Sequence, residues 1–166
     1  MKLRYMALVA GLLVTTAVHA QVAHAQDGGP DYLDNRSTAE TLIQSLYNAI
    51  ERQEFSRAWS YYGEEKPAVN IQEYAAGFAN TKSVEIAFGQ TTSDGAAGSV
   101  YYTVPLAIAA TNQGGETKIF AGCYAARLAD PSIQEDFKPL HLIKGKLEPH
   151  DGPLKEAVPA KCDPMQ

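Results

Sequence analysis

The chain has 166 residues and carries 14 Lys and Arg against 19 Asp and Glu, a formal net charge of −5 at pH 7. That balance argues against nucleic acid and anionic lipid as partners. The length suits one domain with a real core, without need of a second.

Lys2 and Arg4 precede an uncharged run from Met6 to Val18, which is too short for a comfortable stop-transfer span. Small-residue cleavage patterns follow at Val18-His19-Ala20 and Ala23-His24-Ala25. This is the layout of a secretory signal, read as residues 1–25 with cleavage after Ala25, or after Ala20 as second choice. The alternative is an uncleaved anchor helix. Cleavage would remove two basic residues and no acid, making the mature chain more acidic still. No later segment is long and apolar enough to cross a membrane, so the mature protein is expected in the periplasm or outside the cell. There Cys123 and Cys162, the only cysteines, would meet an oxidising environment and pair. A buried thiol and an unrelated free one are the alternative.

Residues 26–36, rich in Gly, Asp and Pro, read as a flexible leader. Asp27, Asp31 and Asp34 lack the Gly-centred spacing and closing Glu of a calcium loop. Ser37-Thr38-Ala39-Glu40 is a capping-box pattern that starts a helix. Leu42, Ile43, Leu46, Tyr47 and Ile50 form its buried stripe, and Gln44, Ser45, Asn48, Glu51 and Arg52 are left to solvent. After a break near Gln53-Glu54, Phe55, Ala58, Trp59 and Tyr62 predict a short second helix, with Gly63 as a left-handed stop. Asn70 caps a third helix whose apolar face is Ile71, Tyr74, Ala75 and Phe78.

Beyond Thr81 the period becomes alternating, which predicts strands over Val84–Phe88, Val100–Ile108, Ile119–Tyr124 and Leu140–Leu147. Ser93-Asp94-Gly95 and Asn112-Gln113-Gly114-Gly115 are turns between them, giving an antiparallel meander. Pro105 lacks a ladder donor and needs a bulge or an amide position facing away from a partner. Tyr101 and Tyr102 must point to opposite faces, so at least one leaves the core side. The tail 149–166 contains four prolines and is read as irregular chain held by Cys162.

The order of helices then meander resembles the nuclear-transport-factor-2-like fold, an α+β cone in which a curved antiparallel sheet wraps N-terminal helices. Tyr47-Asn48-Ala49-Ile50 running into Glu54–Tyr62 is similar to that family's first two helices. Tyr74–Ala79 is similar to its third, and Phe120–Tyr124 to a core strand. The resemblance covers residues 37–148.

Chemical motifs are sparse. No Gly-rich phosphate loop, His-Glu-x-x-His, Cys-x-x-Cys or Gly-x-Ser-x-Gly pattern occurs. Only His141 and His150 remain after the signal, which argues against a metal, and no cofactor is expected. The family's ketosteroid isomerases place a Tyr donor on the first helix and an Asp base just beyond the second. Tyr47 matches the donor, but Lys66–Asn70 holds no carboxylate, and Glu64 and Glu65 come early. His141 is the alternative base, forming a weak catalytic pair with Tyr47. A pocket lined by Tyr47, Trp59, Tyr62 and Tyr102 suits a small apolar molecule, and an outward tyrosine suits a protein partner or a homodimer through the sheet. The leading expectation is a non-catalytic binding or interaction module; the alternative is a small isomerase, lyase or hydrolase using the cone.

Overall fold

The computed structural model describes residues 29–132 and 134–162, so the signal segment read at 1–25 lies outside the described residues. Three helices, α1 (Ala39–Glu51), α2 (Phe55–Ser60) and α3 (Ile71–Phe78), precede β1 (Thr81–Phe88), β2 (Thr92–Ala96), β3 (Ser99–Asn112), β4 (Thr117–Ala129) and β5 (His141–His150). The sheet runs β1-β3-β4-β5, every pair antiparallel, and β2 joins β3 beyond the end of β1. The fold class is therefore α+β, with helices packed on one face of a curved antiparallel sheet.

The helix starts one residue later than its capping pattern suggested. Thr38, not Ser37, is the cap: its hydroxyl accepts from Thr41 N–H, and the Thr41 hydroxyl accepts from Thr38 N–H, both at 3.1 Å. Thr41 takes the reciprocal position at N3, and Glu40 is free to accept from the Thr91 hydroxyl instead. The apolar stripe is buried as expected, with Leu42, Ile43, Leu46 and Ile50 inaccessible.

Of the polar side of α1, Gln44 is exposed as expected, but Ser45 and Asn48 are buried and Glu51 and Arg52 partly so. Asn48 donates to the Asp31 carbonyl (2.7 Å) and accepts from Leu33 N–H (3.0 Å), while the Ser45 hydroxyl accepts from Asn35 N–H (2.8 Å). Arg57 closes the arrangement by donating to the Leu33 carbonyl (2.7 Å), Asn48 Oδ1 (2.9 Å) and Glu54 Oε2 (2.5 Å), with its guanidinium over the Tyr32 ring. The part of the leader from Pro30 to Arg36 is thus docked rather than free, because its backbone groups find side-chain partners on α1 and α2. Glu51 also turns inward and accepts from Val84 N–H at 2.6 Å, tying the helix end to the outermost strand.

Gly63 does not stop α2 in a left-handed turn. It donates to the Leu142 carbonyl (2.9 Å), and Tyr62 bridges Leu142 in parallel, so the chain leaving α2 runs along the free edge of β5. The first hairpin turn falls at Ala97-Gly98, both at positive φ (47° and 70°), rather than at Asp94-Gly95, which lie inside β2. Pro105 sits where β3 exchanges neighbours: β2 pairs up to Thr103, β1 from Leu106 onward. The missing donor therefore breaks no ladder bond on that side.

Alternation divides the sheet into two faces. Tyr102, Val104, Leu106 and Ile108 on β3, Tyr124 and Ala126 on β4, and Leu142 on β5 meet the helices and form the core. Pro105 and Cys123, paired across β3 and β4, face the other way. Residues 151–162 fold back over that outer face, where Cys123 and Cys162 are bonded with Cα atoms 6.0 Å apart. Ala107 and Ala125 on the outer face are buried along with Ala157 of the tail, so small strand residues form the bed on which the tail lies.

Candidate functional site

Two places hold the residues that the sequence singles out. The first lies between helices and sheet, where Tyr47 from α1, Tyr62 from the end of α2, Tyr74 from α3 and Tyr124 from β4 converge. The Tyr47 and Tyr124 hydroxyls are hydrogen-bonded at 2.9 Å, and their rings meet edge to face at 6.4 Å. Tyr74 is the hub of an aromatic group, with Trp59 at 5.5 Å, Tyr62 at 6.2 Å and Phe78 at 5.0 Å. Its own hydroxyl is buried without a hydrogen-bond partner among the described residues. Tyr102 is partly buried and packs against the wider hydrophobic core. Gly145 makes room for this arrangement, since a Cβ there would stand 2.2 Å from Cε1 of Tyr124.

Of the set expected to line a pocket, Trp59 and Tyr62 meet through Tyr74 and Tyr47 meets Tyr124, while Tyr102 packs elsewhere against the core. Burial raises the pKa of each of Tyr47, Tyr62, Tyr74 and Tyr124, and neighbouring phenols raise that of Tyr47 and Tyr62 further. Such phenols stay protonated around neutral pH and can donate hydrogen bonds, but they do not act as bases.

The weak catalytic pair of Tyr47 and His141 is not assembled. Leu142 pairs with Ala126 on the core face, so His141, paired with Arg127, projects from the opposite face. Its ring lies against Gly63, where a Cβ would approach Cδ2 to 2.6 Å, and Nδ1 is 2.9 Å from the Pro139 carbonyl, which fixes that nitrogen as the donor. Glu64 and Glu65 lie on the same outer side. Glu64 is an exposed partner of Lys138 at 3.3 Å.

The second place is an open cleft of about 810 Å³ on the outer face. Its floor is a row across three strands: Tyr101 on β3 pairs with Arg127 on β4, which pairs with His141 on β5. The Ala97-Gly98 turn, the segment at Gly63–Glu65 and the connection at Gln134–Pro139 form the rims. Arg127 stacks toward the Tyr101 ring at 5.7 Å and donates through Nε to the buried Ser99 hydroxyl at 3.1 Å. Phe137, 72% exposed, stands in the connection that forms one rim.

Sequence reasoning reached Tyr101 and His141 but passed over Arg127 and Ser99. Alternation in Ala126-Arg127-Leu128 does put the arginine outward, yet its neighbours come from the pairing register, which the residues alone did not supply. Among the described residues no group of three His, Cys, Asp or Glu is placed to hold a metal ion, and no helix is long and apolar enough to cross a membrane.

No protein-family profile matches this chain, and no curated protein matches it. Among solved structures it is similar to a protein from Streptomyces avermitilis described as a candidate dehydratase of the NTF2-like family, at 14% identity. That match covers 68% of this chain and 94% of the other, with a TM-score of 0.44. At that TM-score the likeness carries nothing about family or chemistry.

Proposed function

We propose that this chain is an exported, non-catalytic binding module and that its ligand site is the cleft on the outer face of the sheet. The observation that carries this reading is the opposite character of the two places. The interior is filled by tyrosines that pack on and bond to one another. The cleft presents Tyr101, Arg127 and His141 to solvent on a strand floor. An enzyme working inside the cone would need a proton acceptor within reach of the Tyr47 donor, and the nearest polar partner of Tyr47 is another phenol. Export rests on the N-terminal residues together with the Cys123–Cys162 bond, which suits an oxidising compartment.

The test is a metabolite and peptide screen by thermal shift on protein recovered from its host, run with Tyr101→Ala and Tyr47→Phe. Ligands that stabilise the wild type should fail with Tyr101→Ala and persist with Tyr47→Phe, without turnover. Conversion of any hit that disappears in Tyr47→Phe would overturn the proposal and favour an enzyme using the cone.

A further inference from the structure

Four arginines are described, and three of them are neutralised locally. Arg36 pairs with Asp34 at 3.6 Å, and Arg52 and Arg57 share Glu54 at 2.8 and 2.5 Å. Arg127 has no carboxylate partner among the described residues. It is nevertheless held in place: Nε is committed to Ser99, a hydroxyl buried under the hairpin turn, and the guanidinium lies beside Tyr101. The two terminal nitrogens are left over at the floor of the cleft. A guanidinium fixed through Nε presents its remaining fork to a planar carboxylate with little further loss of side-chain freedom.

The rims carry the opposite charge. Glu64, Glu65, Glu135 and Asp136 all line the cleft, and its other cations are engaged, Lys138 by Glu64 and Arg36 by Asp34. A phosphate would meet the arginine but also Glu65, Glu135 and Asp136, which have no basic partner among the described residues, whereas a single carboxylate bearing a cationic group satisfies floor and rim together. Tyr101, on the side of Arg127 away from His141, adds an apolar surface to the floor.

Building on the assignment of the ligand site to this cleft, we infer that it takes a short zwitterionic peptide. The C-terminal carboxylate of the peptide lies on Arg127, an apolar side chain on Tyr101, and the amino group faces the acidic rim. The volume of about 810 Å³ exceeds the need of a single amino acid and suits a few residues.

Isothermal titration with Gly-Gly-Phe is the direct test, against its C-terminal amide, its N-acetyl form, free phenylalanine and inorganic phosphate. Gly-Gly-Phe should bind, and both amidation and Arg127→Gln should weaken it about tenfold or more. Arg127→Lys should restore only part of the loss, because an ammonium cannot engage both carboxylate oxygens as the fork does. Acetylation should weaken binding by a smaller factor that shrinks with added salt. The amide comparison uses unaltered protein, so it decides the matter even if Arg127→Gln fails to fold. Equal binding of peptide and amide, absence of binding at millimolar peptide, or phosphate competing at equal strength would each overturn the inference. A screening hit that depends on Tyr101 but ignores Arg127 would sink this inference alone and leave the binding-module reading standing.

Discussion

Cys162→Ser opens a loop whose ends are 39 residues apart. In the chain-entropy treatment, closing a loop of that size removes enough freedom from the unfolded chain to stabilise the fold by about 4 kcal/mol. Part of this is recovered if the tail simply detaches, since residues 151–162 then no longer have to be ordered; what is lost instead is burial of Ala157 and the cover over Ala107 and Ala125. The net loss should therefore fall at roughly 2–4 kcal/mol, which for a domain of this length is a fall of roughly 6–14 °C in Tm. Urea and thermal unfolding followed by circular dichroism should give coincident curves for Cys162→Ser, Cys123→Ser and reduced wild type. Lys155 and Lys161 offer a local readout, because trypsin should cut the tail in the variants before the domain unfolds. A Tm within about 1 °C of wild type, with the tail still resistant, would refute the reasoning and mean that packing alone holds the segment down.

Tyr124→Phe should cost about 1–2 kcal/mol in urea unfolding, because it strands the buried Tyr47 hydroxyl. Adding Tyr47→Phe should cost less than the sum of the single changes, and strict additivity would deny the bond. Gly63→Ala should destabilise by about 1–3 kcal/mol through its clash with the His141 ring, and His141→Ala in the same chain should return most of the loss. Burial raises the Glu51 carboxyl even though it accepts from Val84. The folded state then holds that proton more tightly than the unfolded one, and stability from this residue declines as pH rises through the folded pKa. Glu51→Gln should accordingly gain on wild type between about pH 4 and 7 in urea melts. Glu54 has the opposite sign: burial pushes its carboxyl up, but Arg52 and Arg57 outweigh that and hold it low. Its contribution is present at neutral pH and lost as pH falls below the usual carboxylate range, so Glu54→Gln should differ from wild type at pH 7 and converge with it near pH 2–3.

Element types were readable from the residues because each rests on a local period or cap. The stripe of Leu42, Ile43, Leu46 and Ile50 and the alternation from Val100 to Ile108 each state a buried face without reference to anything distant. Opposite projection of Tyr101 and Tyr102 followed from pleat geometry alone, and pairing of Cys123 with Cys162 from the expected compartment and from there being only two cysteines. Boundaries moved where two local signals competed. Asp94-Gly95 looked like the turn, but pairing of β2 with β3 favoured Ala97-Gly98, and Thr41 rather than Glu40 completed the cap of α1.

What tertiary structure decided is where polar groups find partners. Ser45 and Asn48 sit on the hydrophilic side of a helix, and only the docked leader buries them; Gly63 needs its bare Cα because a histidine from β5 arrives there. Tyr47 and His141 made a weak pair in one dimension, and a bulge and register in β5 send His141 to the other face and give Tyr47 a phenol instead. The same register lines up Tyr101, Arg127 and His141 across strands that are 26 and 14 residues apart in the chain. Local periodicity specifies which way a side chain faces; only strand register, a long-range property set by the whole core, specifies what it faces.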